Sequence, residues 1–98
     1  MAVYRPDIPS HVAEMIGHLP PELKQSIKRA VCSLSADPFA GTPLIGGLAR
    51  LWSFKVRRFR IIYELDRKAG VLRIFAIGHR GEVYEQLADQ LRRVRERK

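Results

Sequence analysis

Leu51-Trp52-Ser53-Phe54-Lys55-Val56-Arg57-Arg58-Phe59-Arg60-Ile61-Ile62-Tyr63-Glu64-Leu65 is the stretch that decides the fold. Strand side chains alternate between two faces, so Trp52, Phe54 and Val56 share one side while Ser53, Lys55 and Arg57 share the other. Phe59, Ile61, Tyr63 and Leu65 likewise share a face, opposite Arg60, Ile62 and Glu64. With Arg57-Arg58 as a hairpin turn, Val56 stands across from Phe59, Lys55 from Arg60 and Phe54 from Ile61, and the two apolar faces coincide. The same register sets two cations against each other. Like charges facing across a hairpin cost on the order of the ~0.2–1 kcal/mol that an opposite pair would gain. Side chains splayed into water would escape that cost. Arg-Arg also lacks the Gly or Asn that two-residue primed turns favour.

Downstream, Asp66-Arg67-Lys68-Ala69-Gly70 reads as a turn and Val71 to Ile77 as a third strand. That run is nearly apolar throughout, as suits the middle of a sheet. Gly78 is expected to end it, leaving His79 and Arg80 at a strand end, where functional side chains are common. Glu82 to about Arg95 reads as a final helix striped by Val83, Leu87, Leu91 and Val94. Arg92, Arg93, Arg95 and Arg97 crowd its last turns, where cations suit the helix dipole.

Upstream, Ala2 to Arg5 is expected to form a short strand ended by Pro6. Ile8, Val12, Met15, Ile16 and Leu19 recur at helical spacing, with Asp7 or Ser10 as the cap. Pro20-Pro21-Glu22 opens a second helix, striped by Leu23, Ile27, Ala30, Val31 and Leu34. Cys32 borders that stripe and reads as a small core residue; His11 and His18 read as surface residues. Asp37 to Pro43 is dense in breakers, and Leu44-Ile45-Gly46-Gly47-Leu48 continues as a turn into the strand beginning near Arg50. The element order is therefore β-α-α-β-β-β-α. It describes an α+β fold with a short N-terminal strand, a two-helix hairpin, a three-stranded antiparallel meander and a C-terminal helix.

At 98 residues with 46% hydrophobic content, the chain is expected to make one domain, residues 1–98, around one core. No apolar run approaches a membrane span, and the first residues have no signal-like apolar region, so a cytoplasmic location is the expectation. A single cysteine excludes an intramolecular disulfide and thiolate zinc motifs. The net charge of +8 is uneven. Residues 1–49 carry four basic and four acidic side chains, whereas residues 50–98 carry fourteen and six. Such asymmetry points to a polyanionic partner.

The sequence offers no carboxylate pair, metal-ligand cluster or Ser/His/Asp set, and Glu64 is the only acid on the basic face of the hairpin. What remains is Lys55, Arg57, Arg58, Arg60, His79, Arg80 and Tyr84. Cations with one aromatic suit a phosphodiester: the charges stabilise what develops at phosphorus, and the ring stacks on a base. In RNA the 2′-hydroxyl can itself be the nucleophile, so the chemistry requires neither a metal nor a protein nucleophile. Lys55 and His79 are both candidate proton carriers.

Leu44-x-Gly46, Leu51-Trp52-x-Phe54-Lys55-Val56, Phe59-Arg60-Ile61-Ile62-Tyr63-Glu64, Ala76-Ile77-Gly78-His79-Arg80 and Val83-Tyr84 together resemble the RelE/ParE family of toxin–antitoxin toxins. The resemblance implies a small basic messenger RNA interferase that acts in the ribosomal A site without metal or cofactor. Its 2′-hydroxyl attack leaves a cyclic phosphate. It also implies an acidic antitoxin partner through which the pair reaches operator DNA, and no membrane partner. By position, Lys55 matches a catalytic lysine and Arg60 the arginine that binds the scissile phosphate. Arg80 matches a second catalytic arginine, and Tyr84 a tyrosine that stacks on or orients the nucleotide. Arg57, Arg58 and His79 are then nucleic-acid-binding candidates. The chain departs from the RelE pattern at Ser53, where that pattern has a lysine, and in the shorter loop before Phe59. Arg57 is placed to supply the missing charge, and the general base stays open between Lys55 and His79. The ParE branch shares the fold, poisons DNA gyrase and lacks the full nuclease set. A plain RNA-binding domain is a third reading.

Overall fold

The computed structural model describes residues 4–44, 51–79, 81–83 and 85. Its elements are β1 (Arg5–Asp7), α1 (Ser10–Gly17), α2 (Pro21–Ala36), a 3₁₀ turn (Pro38–Ala40), β2 (Thr42–Pro43), β3 (Leu51–Val56), β4 (Phe59–Asp66) and β5 (Val71–His79). The five strands form one sheet in the order β1-β5-β4-β3-β2. Gly81, Glu82, Val83 and Glu85 are helical, at the start of the expected final helix. The remainder of that helix, Arg80, Tyr84 and the Gly46-Gly47 loop lie outside the described residues.

The β3–β4 hairpin has the register read from its alternation: Val56 pairs with Phe59, Lys55 with Arg60 and Phe54 with Ile61. Arg57 has φ 55°, and no other described non-glycine residue has positive φ. Positive then negative φ at the two central residues is the sign pattern of a II′ turn, in which glycine ordinarily takes the first place. An arginine therefore occupies the left-handed position.

β4 and β5 pair from Phe59–His79 to Asp66–Val71, with a shift between Ile62 and Tyr63. Ala76 pairs with Ile62 and Ile74 with Tyr63, so Phe75 is the extra residue of a bulge. The bulge changes the phase of β5, allowing Ile77, Ile74 and Leu72 all to face the helices while Ala76 and Phe75 face the other way. β5 is an interior strand, flanked by β1 and β4, which suits its apolar run, but it continues through Gly78 to His79 because Gly78 pairs with Arg60.

α1 and α2 cover one face of the sheet. Val12, Ile16, Ile27, Ala30, Val31 and Leu34 pack on Ile61, Tyr63, Leu72, Ile74 and Ile77. The opposite face holds a smaller cluster of Leu51, Ile62, Ala76 and Val83. The 3₁₀ segment is fastened to the sheet by aromatic side chains. Phe39 meets Trp52 edge-on at 5.5 Å, and Trp52 stacks on Tyr63 at 6.3 Å. The buried Tyr63 hydroxyl donates to the Pro38 carbonyl at 2.8 Å. A Cβ on Gly41 would collide with that hydroxyl and with the Ser53 carbonyl, so the close approach needs glycine there.

Local details differ from the sequence reading. The first strand is Arg5–Asp7, shifted past Pro6, which sits on an edge strand where its missing N–H costs nothing. That strand runs parallel to β5. α1 has Pro9 as its N-cap, with no side-chain cap; Ser10 is already helical. Thr42–Pro43 pairs with Ser53 and Trp52 as a two-residue edge strand inside the expected loop. Cys32 is exposed, contrary to expectation, because it lies one residue (~100°) beyond Val31 on α2 and leaves the buried stripe.

Candidate functional site

Two strand neighbours and a glycine form a row across the sheet: Lys55, Arg60 and Gly78. Directly opposed residues share a face, and this row lies on the side opposite α1 and α2. Lys55 is exposed and Arg60 half-buried, so both reach solvent near the hairpin turn. Arg57 and Arg58, both exposed, extend the positive charge around the strand ends.

His79 is not part of that row. It pairs with Phe59, whose neighbour Val56 packs toward the helices, and the His79 ring lies 4.5 Å from the Phe59 ring. Phe59, His79, Arg57, Arg58, Pro20, Glu22 and Leu23 line a cleft of about 390 Å³ on the helical side of the turn. The two proton carriers expected from sequence, Lys55 and His79, are thus on opposite faces at the same end of the sheet. The Lys55–Arg60 row is separated from the imidazole by the sheet itself.

Glu64 does not neutralise the row. Its carboxylate lies 3.6 Å from Arg73, which also holds Asp66 at 3.0 Å. The Asp66 carboxyl is held below its usual range, chiefly by the Ala69 N–H and then by Arg73. A larger cleft of about 550 Å³, lined by Trp52, Glu64 to Lys68 and Arg73, sits at this far end of the hairpin. It is remote from the cationic row, and Arg73 there bridges both of its acids, Glu64 and Asp66.

Ser53 occupies the position of the expected second lysine. It is buried, and its hydroxyl has no hydrogen-bond partner. Its strand neighbours across the sheet, Ile62 and then Ala76, make this an apolar position. Among the described residues, no group of three or more His, Cys, Asp or Glu is arranged to hold a metal ion.

The model for the ParE toxin of type II toxin-antitoxin systems, parDE, matches residues 4–84. That span contains both helices, the hairpin and the cationic row. The chain belongs to the ParE toxin family.

This ParE-family toxin has its fold in common with several solved structures. A chain of the RelBE2 toxin–antitoxin complex from Mycobacterium tuberculosis superposes with a TM-score of 0.74 at 24% identity, over 82% of this chain and 94% of that one. A variant of E. coli RelE in the free state gives 0.73 at 17% identity, over 90% and 97%. The archaeal RelE–RelB complex from Pyrococcus horikoshii gives 0.67 at 23%, over 83% and 98%. At these identities the likeness establishes the shared α+β fold. No curated protein sequence matches the chain.

One residue near the row of this ParE-family toxin escaped the sequence reading. Glu82 lies over Gly78, the cross-strand partner of Arg60. The available signal was Gly78 itself, since a glycine inside a strand often marks close approach by another group.

Proposed function

We propose that this toxin is a ribosome-dependent endoribonuclease that cleaves messenger RNA in the A site and so arrests translation. The observation that carries the reading is the Lys55–Arg60 pair, two cations held side by side on one face at the open end of the hairpin. A sequence selected only for stability would avoid like charges there, whereas a scissile phosphate needs them. Arg60 binds the phosphate and Lys55 exchanges a proton in the cleavage. The 2′-hydroxyl supplies the nucleophile, so the reaction proceeds without metal or cofactor. Arg80 and Tyr84 complete the set by resemblance, as a second phosphate-binding arginine and a base-stacking ring. Arg57 and Arg58 contact nucleic acid beside the row, with His79 on the helical side. The chain works as one domain in the cytoplasm.

An acidic antitoxin is its partner and reaches operator DNA on its behalf. Similar structures are complexes with the antitoxin RelB, which supports this pairing. Antitoxin binding should weaken as salt rises if the basic half is the contact surface. Salt-independent binding would move the contact to an apolar groove.

Primer extension on a messenger RNA in translating ribosomes tests the nuclease. In-frame cuts that vanish with Arg60→Ala are the expected result. The match to a ParE model favours a second reading, gyrase poisoning without nuclease activity. Growth arrest with intact messenger RNA and DNA-damage signalling would establish that reading and end the first.

A further inference from the structure

Gly78 pairs with Arg60 across β4 and β5, so the empty side of the glycine and the Arg60 side chain share a face. That empty space is bordered by Glu82. A Cβ built on Gly78 would lie 3.3 Å from Glu82 Oε2, 3.6 Å from Glu82 Cβ and 3.5 Å from Val83 Cγ2. Cross-strand Cβ positions are about 5 Å apart, which puts the Glu82 carboxylate within about 9 Å of the Arg60 Cβ, a gap spanned by an extended arginine of about 6 Å and one hydrogen bond of about 3 Å. Val83 is fully buried against Leu51, Ile62 and Ala76 and anchors the segment, while Glu82 itself is exposed. Among the described residues, no cation or N–H donor is bonded to its carboxylate, and Glu64 is committed to Arg73 further along the sheet.

An acid near the start of a helix has an ordinary explanation in the helix dipole. The atoms nearest a Cβ on Gly78 belong to Glu82 and Val83, whereas Glu85, an exposed acid about one turn further on, is not among them. Glu82 suits the dipole and also lies over Gly78, in a close approach that a side chain at residue 78 would crowd. A phosphate anchor with a proton acceptor beside it is what metal-free transesterification of RNA requires. His79 cannot fill that role from the opposite face.

We propose that Glu82 is the general base of the cleavage. This rests on the nuclease reading above. The Glu82 carboxylate takes the 2′-hydroxyl proton as the 2′ oxygen bonds to phosphorus. The bond from phosphorus to the 5′ oxygen breaks, and the Lys55 ammonium returns a proton to that departing oxygen. The products are a 2′,3′-cyclic phosphate and a free 5′-hydroxyl, with no other reactant consumed. Arg60 holds the non-bridging oxygens throughout.

The test is single-turnover cleavage of messenger RNA on programmed ribosomes by the full-length toxin. It uses an ordinary scissile phosphate and one with sulfur in place of the 5′ oxygen, a leaving group that needs no acid. Glu82→Gln should slow cleavage about 10²–10⁴-fold while ribosome binding is retained. Glu85→Gln should cleave within about twofold of the parent, since loss of a dipole-favouring acid alone is a small effect. The sulfur substrate should restore Lys55→Ala and leave Glu82→Gln slow. Parent toxin that cleaves alongside an equally fast Glu82→Gln overturns the proposal and spares the nuclease reading. Rescue of Glu82→Gln by sulfur overturns it too, by making Glu82 the acid. A parent toxin that cuts nothing on ribosomes removes the nuclease reading and this proposal together.

Discussion

Lys55 and Arg60 are direct cross-strand partners on the helix-free face of the sheet, one step from a turn made of two more arginines. Four cations within six residues of chain meet at one end of a hairpin whose other face is apolar. The electrostatic cost of this arrangement and its proposed use are the same fact seen twice, and they separate experimentally.

Removing one member of the pair should relieve repulsion. Lys55→Ala or Arg60→Ala is expected to raise unfolding free energy by about 0.2–1 kcal/mol, measured in urea at low salt. The same variants should abolish growth arrest. A variant that loses both toxicity and stability would indicate that the side chain supports the fold instead.

Arg57 holds φ 55°, a left-handed conformation that costs a residue with a Cβ about 1 kcal/mol relative to glycine. Arg57→Gly should therefore leave stability unchanged or improve it by up to about 1 kcal/mol. If Arg57 contacts nucleic acid, ribosome affinity of that variant should fall and its salt dependence become shallower. Unaltered affinity would make Arg57 a turn residue and nothing more.

Ser53 shows why a missing lysine is not simply a gap. Its side chain is buried and its hydroxyl unpartnered, so Ser53→Ala should be neutral or stabilising by about 1 kcal/mol. Ser53→Lys, which would restore the RelE-like pattern, should destabilise by about 2–4 kcal/mol by burying an ammonium group. Thermal unfolding of the pair decides this. A stable, more toxic Ser53→Lys would show that the hairpin edge opens readily.

Tyr63 should give the fold an alkaline limit. Its phenol is pushed above the ordinary 10.0 by burial first, with Asp37 adding to the effect and the Gly41 backbone N–H opposing it. A raised folded value means the stabilisation is complete below the unfolded value and disappears as pH rises through the folded one. Stability should fall steeply above about pH 10, and Tyr63→Phe should flatten that fall. At neutral pH the same substitution orphans the Pro38 carbonyl and should cost about 1–2 kcal/mol.

Much of this architecture was legible in the chain. Strand alternation is local, and two alternating runs around a two-residue turn leave one register that aligns their apolar faces. The helical stripes followed the same logic, and Val12, Ile16, Ile27, Ala30, Val31 and Leu34 are all buried. Lys55 and Arg60 were therefore placed together from sequence. Cys32 and the terminal strand were misplaced where a residue or two of phase decides the outcome, at a stripe edge and at a proline on an edge strand.

What the sequence by itself determined was the hairpin register, the two amphipathic helices and the concentration of positive charge in the second half, all consequences of short-range periodicity and composition. Tertiary structure decided which of the basic groups share a face. The pairing of β5 with β4 and the bulge at Phe75 are set by contacts between strands, and they send His79 to the helical side while bringing Gly78 beside Arg60. Val83, buried on the second face, then carries Glu82 over that glycine. No periodicity encodes such a meeting, because it joins residues from three segments whose relative phase exists only once the sheet has formed.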